Sequence, residues 1–178
     1  ITAALESLDP GMSAEEVAAS GCAAILRLKD IDSSLLFLVD GADGRVLAVE
    51  GRLAAEMPVG QPISPGAARY LGDRLRVGPW TEEMKARGNQ GDWGARIAAS
   101  GLHTVATARL PVPGRVQLGL VIGTHDADNA DRIIEHLPAL VTFASVLGAV
   151  VGPGLEGSMR DSAARGNIKA IVEQGDFS

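Results

Sequence analysis

The stretch that most restricts this chain is Leu137 to Leu155, "LPALVTFASVLGAVVGPGL", which carries no charged residue. Such a run must leave water, either into a bilayer or into a protein core. A helix that spans a bilayer needs about 20 apolar residues to cross roughly 30 Å. Pro138 and Pro153 bracket the usable helix. At about 1.5 Å per residue the segment between them reaches only about 20 Å. The run therefore reads as a buried helix. Ile133, Leu137, Leu140, Ala144, Leu147 and Val151 alternate in spacings of four and three, the seam of a helix that pairs with another helix. Pro138 should kink this helix or begin it anew.

A partner lies near the N-terminus. Ser13-Ala14-Glu15-Glu16 is a capping box, with Met12 and Val17 where a hydrophobic staple would sit. Val17, Gly21, Ala24 and Leu28 then fall on one helix face. Gly21 and Ala24 are small enough to let another helix approach closely.

Strands fill the space between. "SSLLFLVD", the turn "GADG" and "RVLAVEG" read as a hairpin from about Ser34 to Glu50. "MPVGQPI" is a candidate third strand, interrupted by prolines. Ser64-Pro65 opens a helix running to about Leu71. Thr81 is a candidate cap for a short segment ending at Arg87-Gly88, and Asp92 for another, "WGARIAAS", closed by Gly101. "LHTVATARLPV" and "RVQLGLVIGT" form a second hairpin. The acidic loop "HDADNAD" follows, with Asn129 or Asp131 as the next cap; it lacks the Gly and Glu a calcium loop would need. A charged connector helix, about Glu156 to Gln174, comes last.

This order predicts an α+β fold. One central antiparallel sheet of five or six strands has the terminal helices on one face and a helical insertion on the other. Hydrophobic residues make up 46% and charged residues 21%, enough for one packed core. Aromatics are only 3%, which argues against an RNA-binding face built on stacked rings. The net charge of −6, with basic residues scattered, argues against nucleic acid as partner. The one cysteine, Cys22, excludes an internal disulfide, fits a reducing compartment and reads as a small buried hydrophobe.

No catalytic signature is present: no Gly-x-Ser-x-Gly elbow, no phosphate loop, and no Cys/His cluster with metal spacing. An insertion of more than thirty residues over a sheet face makes a cavity. Tyr70, Trp80, Trp93, His103 and Arg109 are the side chains expected near it. His103 is a candidate pocket or haem ligand, or simply structural. His125 and His136 flank the acidic loop and are expected to be exposed. Both tryptophans could equally plug the insertion onto the sheet, leaving a ligand-free structural dimerisation module. The sequence names no cofactor.

Several of these stretches resemble the GAF domain, a small-molecule sensory fold related to PAS. "LHTVATARLPVPGRVQLGLVIGT", with Gly119 to Gly123, is similar to that family's paired late strands, and "LLFLVDGADGRVLAVEG" to its first hairpin. "GPWTEEMKARG" and "LPALVTFASVLGAVVGPGL" look like GAF domains of actinobacterial signalling proteins. The resemblance covers about Ser13 to Gly152. "IKAIVEQGDFS" resembles the lead-in to an EAL domain, which hydrolyses cyclic di-GMP, and stops at Phe177-Ser178. None of that family's metal-binding carboxylates lies in these residues. The Asn-Lys-Phe-Asp-Glu pattern of cyclic-nucleotide-binding GAF domains is absent. The resemblance implies a non-enzymatic GAF-like sensory domain over residues 1–152. A connector over 153–178 leads into a truncated EAL-like output domain. The four-three spacing of both terminal helices points to a homodimer paired through their apolar stripes, and the resemblance implies a cytoplasmic protein whose full-length form is a cyclic di-GMP phosphodiesterase regulated by a small-molecule effector.

Overall fold

The computed structural model describes residues 13–84 and 91–153. The connector helix, the Met12 staple and the segment ending at Arg87-Gly88 lie outside the described residues.

Helix α1 spans Ala14–Ile25. Its N-cap is Ser13, whose Oγ accepts a hydrogen bond from the Glu16 amide at 3.2 Å. Strands β1 (Ser33–Asp40) and β2 (Asp43–Gly51) form the first hairpin. Gly41 opens the turn with a φ of +61°, a conformation that side chains with a Cβ avoid. A bulge between Leu36 and Phe37 re-aims the strand. A short 3₁₀ turn, Arg52–Ala55, begins the insertion. Helix α2 covers Pro65–Val77, with Pro65 at its start. It runs six residues beyond the expected Leu71, because nothing from Gly72 to Val77 breaks a helix strongly enough. Ser64 stands at the N-cap but its side chain makes no capping hydrogen bond.

The next two segments differ from the expectation. "MPVGQPI" is not one of the named strands; it lies against β2 through an isolated bridge between Arg45 and Pro62 and through backbone hydrogen bonds of Gly60 and Gln61 with Val46 and of Ile63 with Gly44. The fifth strand is β3, Trp80–Glu83, where Thr81 was expected to cap a helix. Pro79 forces its predecessor out of the helical region, and Trp80 and Thr81 are strong strand formers. Helix α3, Gly91–Ser100, starts one residue before the expected Asp92 cap and ends at Gly101, φ +74°.

Strands β4 (Thr104–Leu110) and β5 (Gln117–Thr124) pair as the second hairpin. The complete sheet is antiparallel, in the order β2-β1-β5-β4-β3. Asp126 caps a 3₁₀ turn, Ala127–Asn129, by accepting the Asp128 amide at 2.9 Å. Helix α4 (Ala130–Glu135) follows. After a break at His136 comes α5 (Leu137–Pro153), bent 59° from the preceding helical segment. Pro138 in the first turn of α5 accounts for the break. Among the described residues no single helix is long and apolar enough to cross a membrane.

Two apolar clusters flank the sheet. On one face Val17, Cys22 and Ile25 of α1 meet Leu140, Phe143 and Leu147 of α5 over Leu36, Ala106, Leu120 and Ile122. Removing a side chain of this size from water contributes about 1.5–3 kcal/mol. Burial pushes the Cys22 thiol up to about 12, against the pull of a hydrogen bond with Ser34. On the other face the insertion packs Leu53, Met57, Leu71 and Leu75 onto Leu35, Phe37 and Val105. The α+β fold, with terminal helices on one face and the insertion on the other, is thus the one expected.

The apolar stripes bring α1 and α5 together within one molecule, as expected, and so are not left over for the expected bundle between two protomers. Ile133, Leu140, Ala144, Leu147 and Val151 are buried within the chain's own core, as are Val17 and Ala24. The seam joins α1 to α5 of one molecule; it is not exposed for a second.

Candidate functional site

The insertion encloses a cavity of about 90 Å³ against the sheet. Its floor comes from alternate residues of neighbouring strands, because side chains of a strand point to opposite faces with a period of two. Val105 and Thr107 of β4 lie beside Val121 of β5, and opposite Glu82 and Trp80 of β3 respectively. Leu35 and Phe37 of β1 complete it. The roof is Tyr70 and Leu71 of α2 with Trp93 and Ile97 of α3.

Trp80 is held from two sides. Its indole Nε1 donates to Glu82 Oε1 at 3.2 Å, and the Arg74 guanidinium lies 4.9 Å from the ring centroid, a cation–π contact. Both contacts fix the indole as a wall. Tyr70 is 40% exposed and stands where the cavity meets solvent.

Of the residues expected near the cavity, Tyr70, Trp80 and Trp93 line it together. His103 does not; its Nδ1 lies 2.7 Å from Thr104 Oγ1, and its backbone bonds to Met84 and Thr124. Arg109 is exposed and lies with Pro111, Val112 and Ser145 in a shallow surface depression. The sequence reading missed Thr107, Glu82 and Ile97. Thr107 carried a usable signal, a hydroxyl in an otherwise apolar strand. Glu82 could not be placed without knowing that its segment is a strand.

The lining is mainly apolar, and no Lys, Arg or His belongs to it among the described residues. Glu82 and Glu83 are the charged side chains of the described lining. Such a surface disfavours an anion and supplies no described cluster of metal-binding side chains.

A second polar group lies away from the cavity, between the loop after α1 and the end of β5. Asp32 Oδ2 accepts the His125 amide at 2.8 Å, and Oδ1 lies 2.7 Å from His125 Nδ1 and accepts from Ser33 Oγ at 2.8 Å. Partial burial would raise the Asp32 carboxyl, but these bonds outweigh it and hold the group below its ordinary value. The His125 side chain is 3% exposed, not solvated as expected. His136 is half-buried and its Nε2 bonds to the Lys29 carbonyl at 2.7 Å. These contacts join the loop after α1 to the end of β5 and to the break between α4 and α5.

No protein-family model and no curated protein matches the sequence. Solved structures do match in fold. The GAF domain of a phosphoenolpyruvate-protein phosphotransferase from Coxiella burnetii superposes with a TM-score of 0.55 at 15% identity, over 89% of this chain and 92% of that one. The chromophore-binding domain of a bacteriophytochrome from R. palustris gives 0.62 at 12% identity, over 88% of this chain. The present chain spans 61% of the length of that domain. A far-red absorbing dark-state structure with bound biliverdin IXa gives 0.57 at 10% identity, over 86% of this chain and 96% of that one. The fold is that of a GAF domain.

Proposed function

We propose that the chain is a small-molecule-sensing regulatory domain of a bacterial signalling protein, without catalytic activity of its own. The observation that carries this reading is the walled cavity between insertion and sheet, in a fold shared with the biliverdin-bound structure. The output is an EAL cyclic di-GMP phosphodiesterase following Ser178 in an actinobacterial protein. Support comes from the resemblance of Ile168–Ser178 to the lead-in of that domain. The lone cysteine is compatible with the cytoplasm, where thiols stay reduced.

The assembly in this reading is a homodimer through α5, using its outer face rather than the buried seam. That face carries Pro138, Val141, Thr142, Ser145, Val146 and Ala149 and has no charge over its length. Val141 and Val146 are 37% and 39% exposed. The hydroxyls of Thr142 and Ser145 donate to the carbonyls one turn back, so the face offers mostly carbon to a partner. A second copy supplies an identical apolar stripe, as a two-fold interface requires.

The test uses the protein extended through the residues encoded after Ser178. Cyclic di-GMP hydrolysis that changes when Val146→Lys abolishes self-association in sedimentation supports the reading. Absence of hydrolysis removes the EAL assignment, and a monomeric wild type removes the dimer. A ligand-free structural dimerisation module is the competing reading. It is favoured by the small cavity, well below the roughly 300–1,000 Å³ of drug-sized ligand sites. Tight dimerisation with no thermal shift against small organic molecules would select it.

A further inference from the structure

One side chain in the cavity wall breaks a rule that the rest of the protein obeys. Of the buried polar side chains, Ser33, Ser34, Gln61, Thr104, Gln117 and Thr124 all take part in hydrogen bonds. Thr107 is 2% exposed, yet its hydroxyl has no hydrogen-bond partner among the described residues. No fully enclosed polar atom lacks a partner among those residues, so this oxygen is not sealed in protein. It opens onto the cavity that Thr107 lines. A hydroxyl kept from bulk water without a partner is costly, and a native protein rarely keeps one without a use.

The surroundings narrow that use. Thr107 sits between Trp80 of β3 and Val121 of β5, its cross-strand neighbours. The roof over the same cavity is aromatic and aliphatic. No described cation belongs to the cavity lining to receive an anion, and the lining is mainly apolar. The cavity is smaller than the ~150 Å³ that accepts benzene in an engineered core, but it is open at Tyr70. Its size excludes a nucleotide or a tetrapyrrole and limits an occupant to at most one ring that lies partly in the opening.

We infer that the cavity binds a compact, uncharged, largely apolar molecule carrying one polar group, which hydrogen-bonds to the Thr107 hydroxyl. This deepens the sensory reading and rests on it only for the consequence of binding; the binding itself is measurable without any output domain.

The experiment compares four single-ring probes of similar size against the chain: benzyl alcohol, toluene, benzoate and benzylamine. Chemical shifts of the Trp80 and Trp93 indole N–H groups report occupancy. Benzyl alcohol is expected to bind best and toluene about tenfold more weakly; benzoate and benzylamine should bind more weakly still, because a mainly apolar cavity must strip water from either charge. Thr107→Val keeps the shape and removes the hydroxyl. It should erase the preference of benzyl alcohol over toluene, about tenfold or 1.4 kcal/mol, and should melt higher than wild type without ligand. Binding of benzoate or benzylamine as tight as that of benzyl alcohol overturns the inference. So does an undiminished preference in Thr107→Val, a lower melting temperature in that variant, or failure of all four probes. If benzyl alcohol binds as expected but leaves the hydrolysis of the extended protein unchanged, the ligand class stands and the sensory reading fails.

Discussion

Gly119 shows how a missing side chain positions a bulky one. A Cβ added there would lie 2.3 Å from Cζ of Phe37, a ring that is itself fully buried and part of the cavity floor. Gly119→Ala is therefore expected to cost about 1–3 kcal/mol through overpacking, read as a lower urea midpoint with unchanged slope. Asp32 gives a prediction with a sign. Its carboxyl is held below the ordinary 3.8 in the folded chain. The stability this contributes is present above pH 3.8 and is lost as pH falls through the lower folded value. The difference in urea midpoint between wild type and Asp32→Asn should be constant from pH 7 to 5 and shrink below 3.8. A difference that grows with acid would contradict the bonding described. Neither residue's role was legible in the sequence. The alternation of Leu118, Leu120 and Ile122 with glycines was visible, but the ring that fills the gap comes from a strand about eighty residues away. His125 looked exposed for a similar reason: its neighbours in sequence are acidic, whereas its partner is Asp32.

At the scale of elements, strong periodic signals read correctly and weak local ones did not. The Ser13 cap, the four-three seams, the prolines around α5 and both hairpins survive in the structure, because each is a local preference that tertiary packing reinforces. β3 was missed because an edge strand of four residues has too few positions to show alternation, and its glutamates keep the edge charged. The helix pair offers a quantitative check. A Cβ on Gly21 would stand 2.8 Å from Cδ2 of Leu147, so the two helices touch where a side chain is absent. Leu147→Ala should cost about 2–5 kcal/mol. Gly21→Ala should be near neutral, since the crowding opposes a gain of roughly 0.5–1 kcal/mol in helix preference. In the double variant the new methyl occupies space that Leu147 has left. The double variant should be more stable than the sum of the singles by about 1 kcal/mol. Urea denaturation of the four proteins measures it, and strict additivity would mean that the helices are not in contact there.

At the scale of the molecule, the cavity and the helix pair occupy opposite faces of a single sheet. Within β4 and β5, Val105, Thr107 and Val121 wall the cavity, whereas Ala106, Ala108, Leu120 and Ile122 lie under the terminal helices. One residue separates a wall position from a helix-contact position, so a strand shifted by an occupant cannot leave the α1–α5 packing untouched. Interiors at crystal-like density transmit such a shift rather than absorb it. If the outer face of α5 is also the dimer contact, occupancy and self-association are coupled, and the coupling must be reciprocal. Saturating benzyl alcohol should change the self-association constant by at least about fivefold, corresponding to roughly 1 kcal/mol. Linkage then fixes a second measurement. The affinity of the wild-type dimer for benzyl alcohol must differ from that of the monomeric Val146→Lys protein in the same direction. With one site per protomer acting independently, each site contributes a factor equal to the square root of the change in self-association. Sedimentation across a concentration series and titration calorimetry give the two quantities separately. Equal self-association with and without the probe, while the probe still binds, would confine the cavity's influence to its own face of the sheet.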